Sequence, residues 1–96
     1  MAYRIEYSPE AEDHLMCLSA RDSRTVLDTV VVQLAHQPTV STRNRKLMKA
    51  NRLAPWELRI GSLRVYYEVK ARVVIVKAVG FKDSDRVWIG GEEIEV

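Results

Sequence analysis

Between Trp56 and Val69 the sequence WELRIGSLRVYYEV alternates apolar and polar residues on both sides of Gly61-Ser62, and this pattern leaves little choice of local structure. Strand side chains point alternately to opposite faces, and glycine at the first of two central positions suits the tight turn whose twist matches paired strands. The segment is therefore a β-hairpin in which Ile60 faces Leu63, Arg59 faces Arg64, Leu58 faces Val65, Glu57 faces Tyr66 and Trp56 faces Tyr67. One face gathers Trp56, Leu58, Ile60, Leu63, Val65 and Tyr67 and has to pack against something. The other gathers Glu57, Arg59, Arg64 and Tyr66, and it is the candidate site.

The flanking sequence supplies the packing partners. Tyr3, Ile5 and Tyr7 alternate with Arg4 and Glu6, the pattern of a short half-buried strand. Ser8-Pro9-Glu10 follows as an N-cap, a first-turn proline and an acid at the positive helix end. Ala11, Leu15 and Leu18 have helical spacing, which the stretch from Ser19 to Asp22 breaks. A second helix with a broad apolar face of Val26, Leu27, Val30, Val31, Leu34 and Ala35 runs until Gln37-Pro38 stops it. Residues 39–55 have little periodicity and read as a basic connecting segment, with one helical turn near Lys46 to Ala50. Arg72 to Gly80 is almost continuously apolar, as in a central strand, and Gly80 ends it. A two-residue turn at Lys70-Ala71 brings Lys77 opposite Arg64 as a third cation.

The expected fold is α/β (α+β): an N-terminal strand, a helical hairpin, then three antiparallel strands completing one twisted sheet. The 96 residues read as a single domain over 1–96. Apolar residues are 47% of the chain and charged ones 29%, the balance of an ordinary globular protein. The longest apolar stretches are too short to cross a bilayer, and the first residues have no secretory pattern, so the expectation is a cytoplasmic protein without membrane contact. A lone Cys17 and the lack of ligand-like Cys and His spacing predict no disulfide, no metal and no cofactor. Cys17 reads as a small buried hydrophobe, and Trp56 and the methionines as core. His14 and His36, on the first and second helices, are not placed near the basic face.

Net charge is only +2, but it is unevenly spread. Residues 1–40 carry three basic and six acidic side chains, residues 41–72 nine and two, and residues 73–96 three and five: −3, +7 and −2. The central block contains Arg43, Arg45, Lys46, Lys49, Arg52, Arg59, Arg64, Lys70 and Arg72. Such a block is either a solvated surface or the electrostatic footprint of a phosphate backbone. Two arginines directly opposite each other repel by several tenths of a kcal/mol. A phosphate held between them relieves that repulsion, because each planar guanidinium donates two parallel hydrogen bonds. The alternative is that both side chains fan into water, with Glu57 or Glu68 taking up one of them. Trp88 follows a polar segment and either packs in the core or offers a flat face to a base.

The hairpin, the VVIVKAVGFK of Val73 to Lys82, the opening YRIEYSPEA and the Lys46-Leu47 pair together resemble the RelE/ParE superfamily of toxins from toxin-antitoxin systems, with the RelE-like branch favoured. That resemblance implies inhibition of translation by ribosome-dependent cleavage of messenger RNA, an endoribonuclease reaction in which a ribose 2′-hydroxyl attacks the adjacent phosphate. It implies catalytic roles for Arg59, Arg64 and Lys82, and an RNA-binding surface of Arg43, Arg45, Lys46, Lys49, Arg52, Tyr66, Lys77 and Trp88. The implied partners are a cognate antitoxin encoded nearby, the ribosome and its mRNA, and operator DNA only through the antitoxin.

The tail Ile89 to Val96, with Gly90, Gly91, Glu92, Glu93 and Glu95, reads as a short acidic strand or loop instead of a C-terminal helix, and two positions also depart from the family pattern. Glu57 stands where a lysine can act, and is either a general base for the 2′-hydroxyl or a counterion of Arg59 or Arg64. Trp88 stands where a tyrosine stacks on RNA; it can stack but cannot exchange a proton. A fold shared by nucleases and gyrase inhibitors does not decide function. A ParE-like DNA gyrase inhibitor and a catalytically weakened binding member of a toxin-antitoxin complex are the rival readings.

Overall fold

Two serines decide where the helices begin. In the computed structural model, which describes residues 2–94, the Ser8 hydroxyl accepts from the Ala11 N–H at 3.1 Å and starts α1 (Pro9–Met16). Ser19 accepts from the Asp22 N–H at 3.0 Å and starts α2 (Ala20–Leu34). Each cap satisfies a backbone donor that the first helical turn leaves unpaired. The strands are β1 (Arg4–Tyr7), β2 (Arg45–Leu47), β3 (Trp56–Ile60), β4 (Leu63–Lys70), β5 (Val73–Asp83), β6 (Arg86–Ile89) and β7 (Glu92–Ile94). They form one sheet in the order β2-β3-β4-β5-β6-β7, all antiparallel, with β1 added parallel to β5.

β5 organises the sheet. One edge pairs with β4 throughout, while the other is shared end to end, Val73 to Val76 by β1 and Gly80 to Asp83 by β6. Between those partners α1 covers the exposed backbone. Ser8 Oγ donates to the Lys77 carbonyl at 3.3 Å, and the Val79 N–H donates to His14 Nδ1 at 3.3 Å. A short helix is thereby tied to the centre of the sheet at both its ends.

Side-chain alternation then sorts two clusters onto opposite faces. On the helix face, Val26, Val30 and Leu34 of α2 pack with Leu58, Val65, Tyr67, Val74, Val76 and Val79. Trp56 stacks on Tyr67 with ring centroids 6.2 Å apart, and the Tyr67 hydroxyl donates to the Pro38 carbonyl at 2.6 Å. On the other face a smaller cluster joins Ala54, Tyr66, Ala78, Val87 and Ile89.

The hairpin register is the expected one, and Gly61 has a φ of +59°. Several other expectations are corrected. The segment 46–50 holds no helical turn, because Arg45–Leu47 instead adds an edge strand to β3. β5 runs past Gly80, whose role is contact: a Cβ there would lie 2.0 Å from the Trp88 carbonyl oxygen of β6. Beyond the expected three antiparallel strands, β6 extends the sheet, and the tail takes the strand form of its two expected alternatives as β7. β7 carries Glu92 and Glu93 of the acidic tail, whose last residues, Glu95 and Val96, lie outside the described residues. The apolar face of α2 is narrower than expected, since Leu27 is 39% and Val31 59% exposed. Cys17 is exposed, because it caps the open end of α1. Among the described residues no helix is long and apolar enough to cross a membrane.

Candidate nucleic-acid interface

β3 and β4 place Arg59 directly opposite Arg64, on the face away from the helices. Lys82 joins them there. Arg64 pairs with Gly80, Lys82 lies two residues further along β5, and the Lys82 N–H donates to the Ser62 carbonyl at 2.8 Å. All three side chains reach solvent. The two arginines do not share a ligand within the chain. Arg59 Nε donates to Glu57 Oε1 at 3.1 Å, while Arg64 Nη1 donates to the carbonyls of Gly61 at 2.6 Å and Leu63 at 2.9 Å. The like-charge strain of the hairpin is thus relieved in part by Glu57, and Arg64 meets only neutral acceptors. Each guanidinium keeps further N–H groups for an anion.

Glu57 has a side chain only 8% exposed. A buried carboxylate is costly unless it is paired, and Arg59 supplies the pairing. Cross-strand from it sits Tyr66, fully buried, whose hydroxyl lies beside Glu57 without reaching hydrogen-bond geometry to any described acceptor. Burial and then the Glu57 carboxylate push ionisation of that hydroxyl well above the usual tyrosine range, against the smaller opposite pull of Arg64 and Arg59. Tyr66 is therefore a neutral O–H that is covered by Ala54 and Val87 and has no open ring face for an RNA base.

The other expected contact residues divide by register. Lys46, paired with Glu57, lies on the site face and is exposed. Arg45, paired with Leu58, lies on the helix side, where its Nη1 donates to the Gln33 carbonyl at 2.6 Å and its Nε to the Val40 carbonyl at 3.1 Å. It clamps the end of α2 instead of facing outward. Arg43, Lys49 and Arg52 are exposed on the segments flanking β2. Asn51 shapes the second of these, accepting from the Leu53 and Ala54 N–H groups at 2.8 and 3.1 Å and donating to the Ala54 carbonyl at 3.0 Å.

Lys77 is not opposite Arg64. The β4–β5 turn is centred on Ala71-Arg72, with Lys70 opposite Val73, and a register shift between Tyr66 and Tyr67 inserts Lys77 as an extra residue. Its Nζ lies 3.8 Å from Glu68. Trp88 pairs with Phe81, which in turn pairs with Leu63 of the helix-side core. By alternation Trp88 therefore belongs to the face opposite Arg64, where it cannot stack on a strand held by the arginines.

Sequence reasoning did not place His14 near the basic face. The structure sets it at the wall of a cleft that also contains Arg52 and Lys77. Burial lowers its pKa, against the smaller raising effects of Asp13 and Glu10, so the ring is neutral at physiological pH. Among the described residues no group of three His, Cys, Asp or Glu side chains could hold a metal ion.

A seven-stranded sheet, with α2 packed on one face and Lys46, Arg59, Arg64 and Lys82 on the other, defines a small α+β protein. No family model and no curated protein matches the chain. A solved structure does. One chain of the toxin-antitoxin complex RelBE2 from Mycobacterium tuberculosis is similar with a TM-score of 0.74 at 19% identity, covering 85% of this chain and 93% of that one. The two share a fold.

Proposed function

We propose that this protein is the toxin of a toxin-antitoxin pair and that it stops translation in the cytoplasm by cutting messenger RNA on the ribosome. The observation that carries this reading is the juxtaposition of Arg59 and Arg64 on an open sheet face, with Lys82 beside them. In the proposed reaction a ribose 2′-hydroxyl gives its proton to solvent water, its oxygen bonds to the neighbouring phosphorus, and the bond to the 5′-oxygen breaks. A 2′,3′-cyclic phosphate and a 5′-hydroxyl result. Arg59 and Arg64 would hold the nonbridging oxygens as negative charge gathers on them, and Lys82 would protonate the departing oxygen. Glu57, buried and bonded to Arg59, reads as the group that aims Arg59, in preference to a general base. Lys46, Lys49 and Arg52 extend the positive surface along which an RNA backbone would run. The cognate antitoxin would cover this face with acidic or amphipathic sequence, and operator DNA would be bound through the antitoxin alone.

Arg64→Ala decides between the nuclease and its rivals. It removes one phosphate ligand and leaves Glu57 with its Arg59 partner, so the fold should survive. The expected outcome in a purified-ribosome assay is a loss of cleavage of about 10²–10³-fold, as for removal of one transition-state donor, with an unchanged melting curve. Undiminished cleavage would remove the proposed site. Growth arrest accompanied by DNA breaks and no new mRNA ends would assign the fold to gyrase inhibition instead.

A further inference from the structure

We infer that the cleft between α1, the loop carrying Arg52 and Leu53, and the β6–β7 hairpin is a nucleobase pocket that favours bases bearing an exocyclic amino group. The cleft encloses about 310 Å³, at the lower end of the size range of small-ligand sites. Its floor is apolar, formed by Ala78, Ile89 and Leu53, and it suits the flat face of a base. Its rim is mixed. Glu10 and Glu92 offer only acceptors, Arg52 and Lys77 only donors, and His14 closes one wall.

His14 has a defined hydrogen-bonding polarity there. Its Nδ1 accepts the Val79 N–H, so a neutral ring must carry its proton on Nε2. The Nε2 edge lies against Gly90: a Cβ on that glycine would come within 3.0 Å of the ring's Cδ2 and 3.5 Å of Nε2. Glycine there keeps this edge open, and the same residue holds a φ of +60° that other residues resist. Among the described residues nothing accepts the Nε2 proton, which leaves it as a directed donor on the rim.

The pocket adjoins the proposed phosphate site. Arg64 of β4 pairs with Gly80 of β5, and Gly80 pairs with Ile89 of β6, so Arg64 and the cleft floor lie in one cross-strand row. Two interstrand steps separate them, about 10 Å between backbones. Gly80 between them has no side chain, and Ile89 Cγ1 with the Trp88 carbonyl takes up the space that one would fill, so the Ile89 side chain continues the row toward Arg64. A nucleotide with its phosphate at Arg64 can lay its base toward Ile89. The two carboxylates then need donors from that base. An exocyclic amino group provides them and uracil's single N–H does not, while ring nitrogens and carbonyls accept from His14, Arg52 or Lys77. This inference rests on the RNA-cleaving reading for its biological setting, but its test does not.

The full chain, with its backbone and imidazoles labelled with ¹⁵N, is titrated with AMP, CMP, GMP and UMP, following the Val79 amide and the His14 Nε2–H by NMR. AMP, CMP and GMP should shift both signals saturably, and UMP should bind at least about threefold more weakly, the loss of one modest hydrogen bond. His14→Ala removes a tie between α1 and β5 and risks the fold, so the diagnostic variant is Glu10→Gln with Glu92→Gln, both exposed. That pair should erase the discrimination against UMP. Equal affinity for all four nucleotides, or shifts confined to Arg59 and Arg64, would overturn the pocket. Discriminating binding by a protein that leaves ribosomal mRNA uncut would keep the pocket and remove the proposed reaction. Cleavage without base-selective shifts at His14 would do the reverse.

Discussion

The two faces of the sheet are built on different principles. The helix face is closed by Val26, Val30 and Leu34 over Leu58, Val65, Val74 and Val76, aliphatic side chains with no exposed surface and no polar atoms to satisfy. The other face buries the Glu57 carboxylate and the Tyr66 ring, with Ala54, Ala78, Val87 and Ile89 clustered about that ring; the Tyr66 hydroxyl is without a partner, as is that of Tyr7 at the margin of the helix face. Dry aliphatic contact stabilises a fold cheaply, whereas polar groups in a partly covered layer cost free energy unless every one is paired. The difference is one of emphasis: the centre of the helix face is aliphatic, with its polar groups at the margin, whereas the other face holds a buried carboxylate that Arg59 pairs.

That contrast can be broken or sharpened by substitution. The largest effect belongs to the helix face. Leu58→Ala removes a fully buried side chain from the middle of β3 and should cost about 2–5 kcal/mol by chemical denaturation. A cost under 1 kcal/mol would mean that the helix face is not the stability core. Tyr66→Phe on the opposite face deletes the unpartnered hydroxyl while keeping the ring. It should leave stability unchanged or raise it by about 1 kcal/mol, since no hydrogen bond is lost. A clear loss would show that the hydroxyl has a stabilising partner, with Glu57 the nearest candidate.

The smallest effect is the pH response of His14, which sits between the two faces. Its folded pKa lies below the ordinary 6.5, so the unfolded chain takes up the proton first as pH falls. The stability that the neutral ring contributes is complete above 6.5 and declines as pH drops through the folded value, when Nδ1 can no longer accept from Val79. Melting temperature should therefore fall modestly from about pH 7.5 to about pH 5.5, and fall less in His14→Gln. Identical slopes in the two proteins would show that the ring's protonation is not linked to folding.

The parts of this architecture that were legible in the sequence are those set by local chemistry. The hairpin from Trp56 to Tyr67 declares its register through strict alternation and a turn glycine, so the Arg59–Arg64 pair could be read without coordinates. The start of α1 was equally plain, from a capping serine followed by proline. What escaped was set by distant partners. β2 is three residues long, too short to show any period, and exists because β3 offers it an edge. The run from Val73 to Val79 is apolar at almost every position, so it carries no phase from which the displacement of Lys77 could be inferred. Trp88 depends on the parity of the β5–β6 connection, which Ser84-Asp85 sets. His14 acquired its role only because β1 and β6 stop short of each other along one edge of β5.

That shared edge also orders events in time. β1 is synthesised well before its hydrogen-bonding partner, which begins at Val73, so it has nowhere to pair until β5 emerges. Contacts this distant along the chain close late and slow the search for the native state, because the loop entropy is lost before the pairing repays it. β6 and β7 follow within a few residues of β5 and can add as they emerge. A nascent chain ending before Val73 thus has an arginine hairpin but neither the strand that seats α1 nor the backbone that would complete the row from Arg64 to Ile89. Folding of the face that carries Arg59 and Arg64 is in this way deferred until β5 has been made.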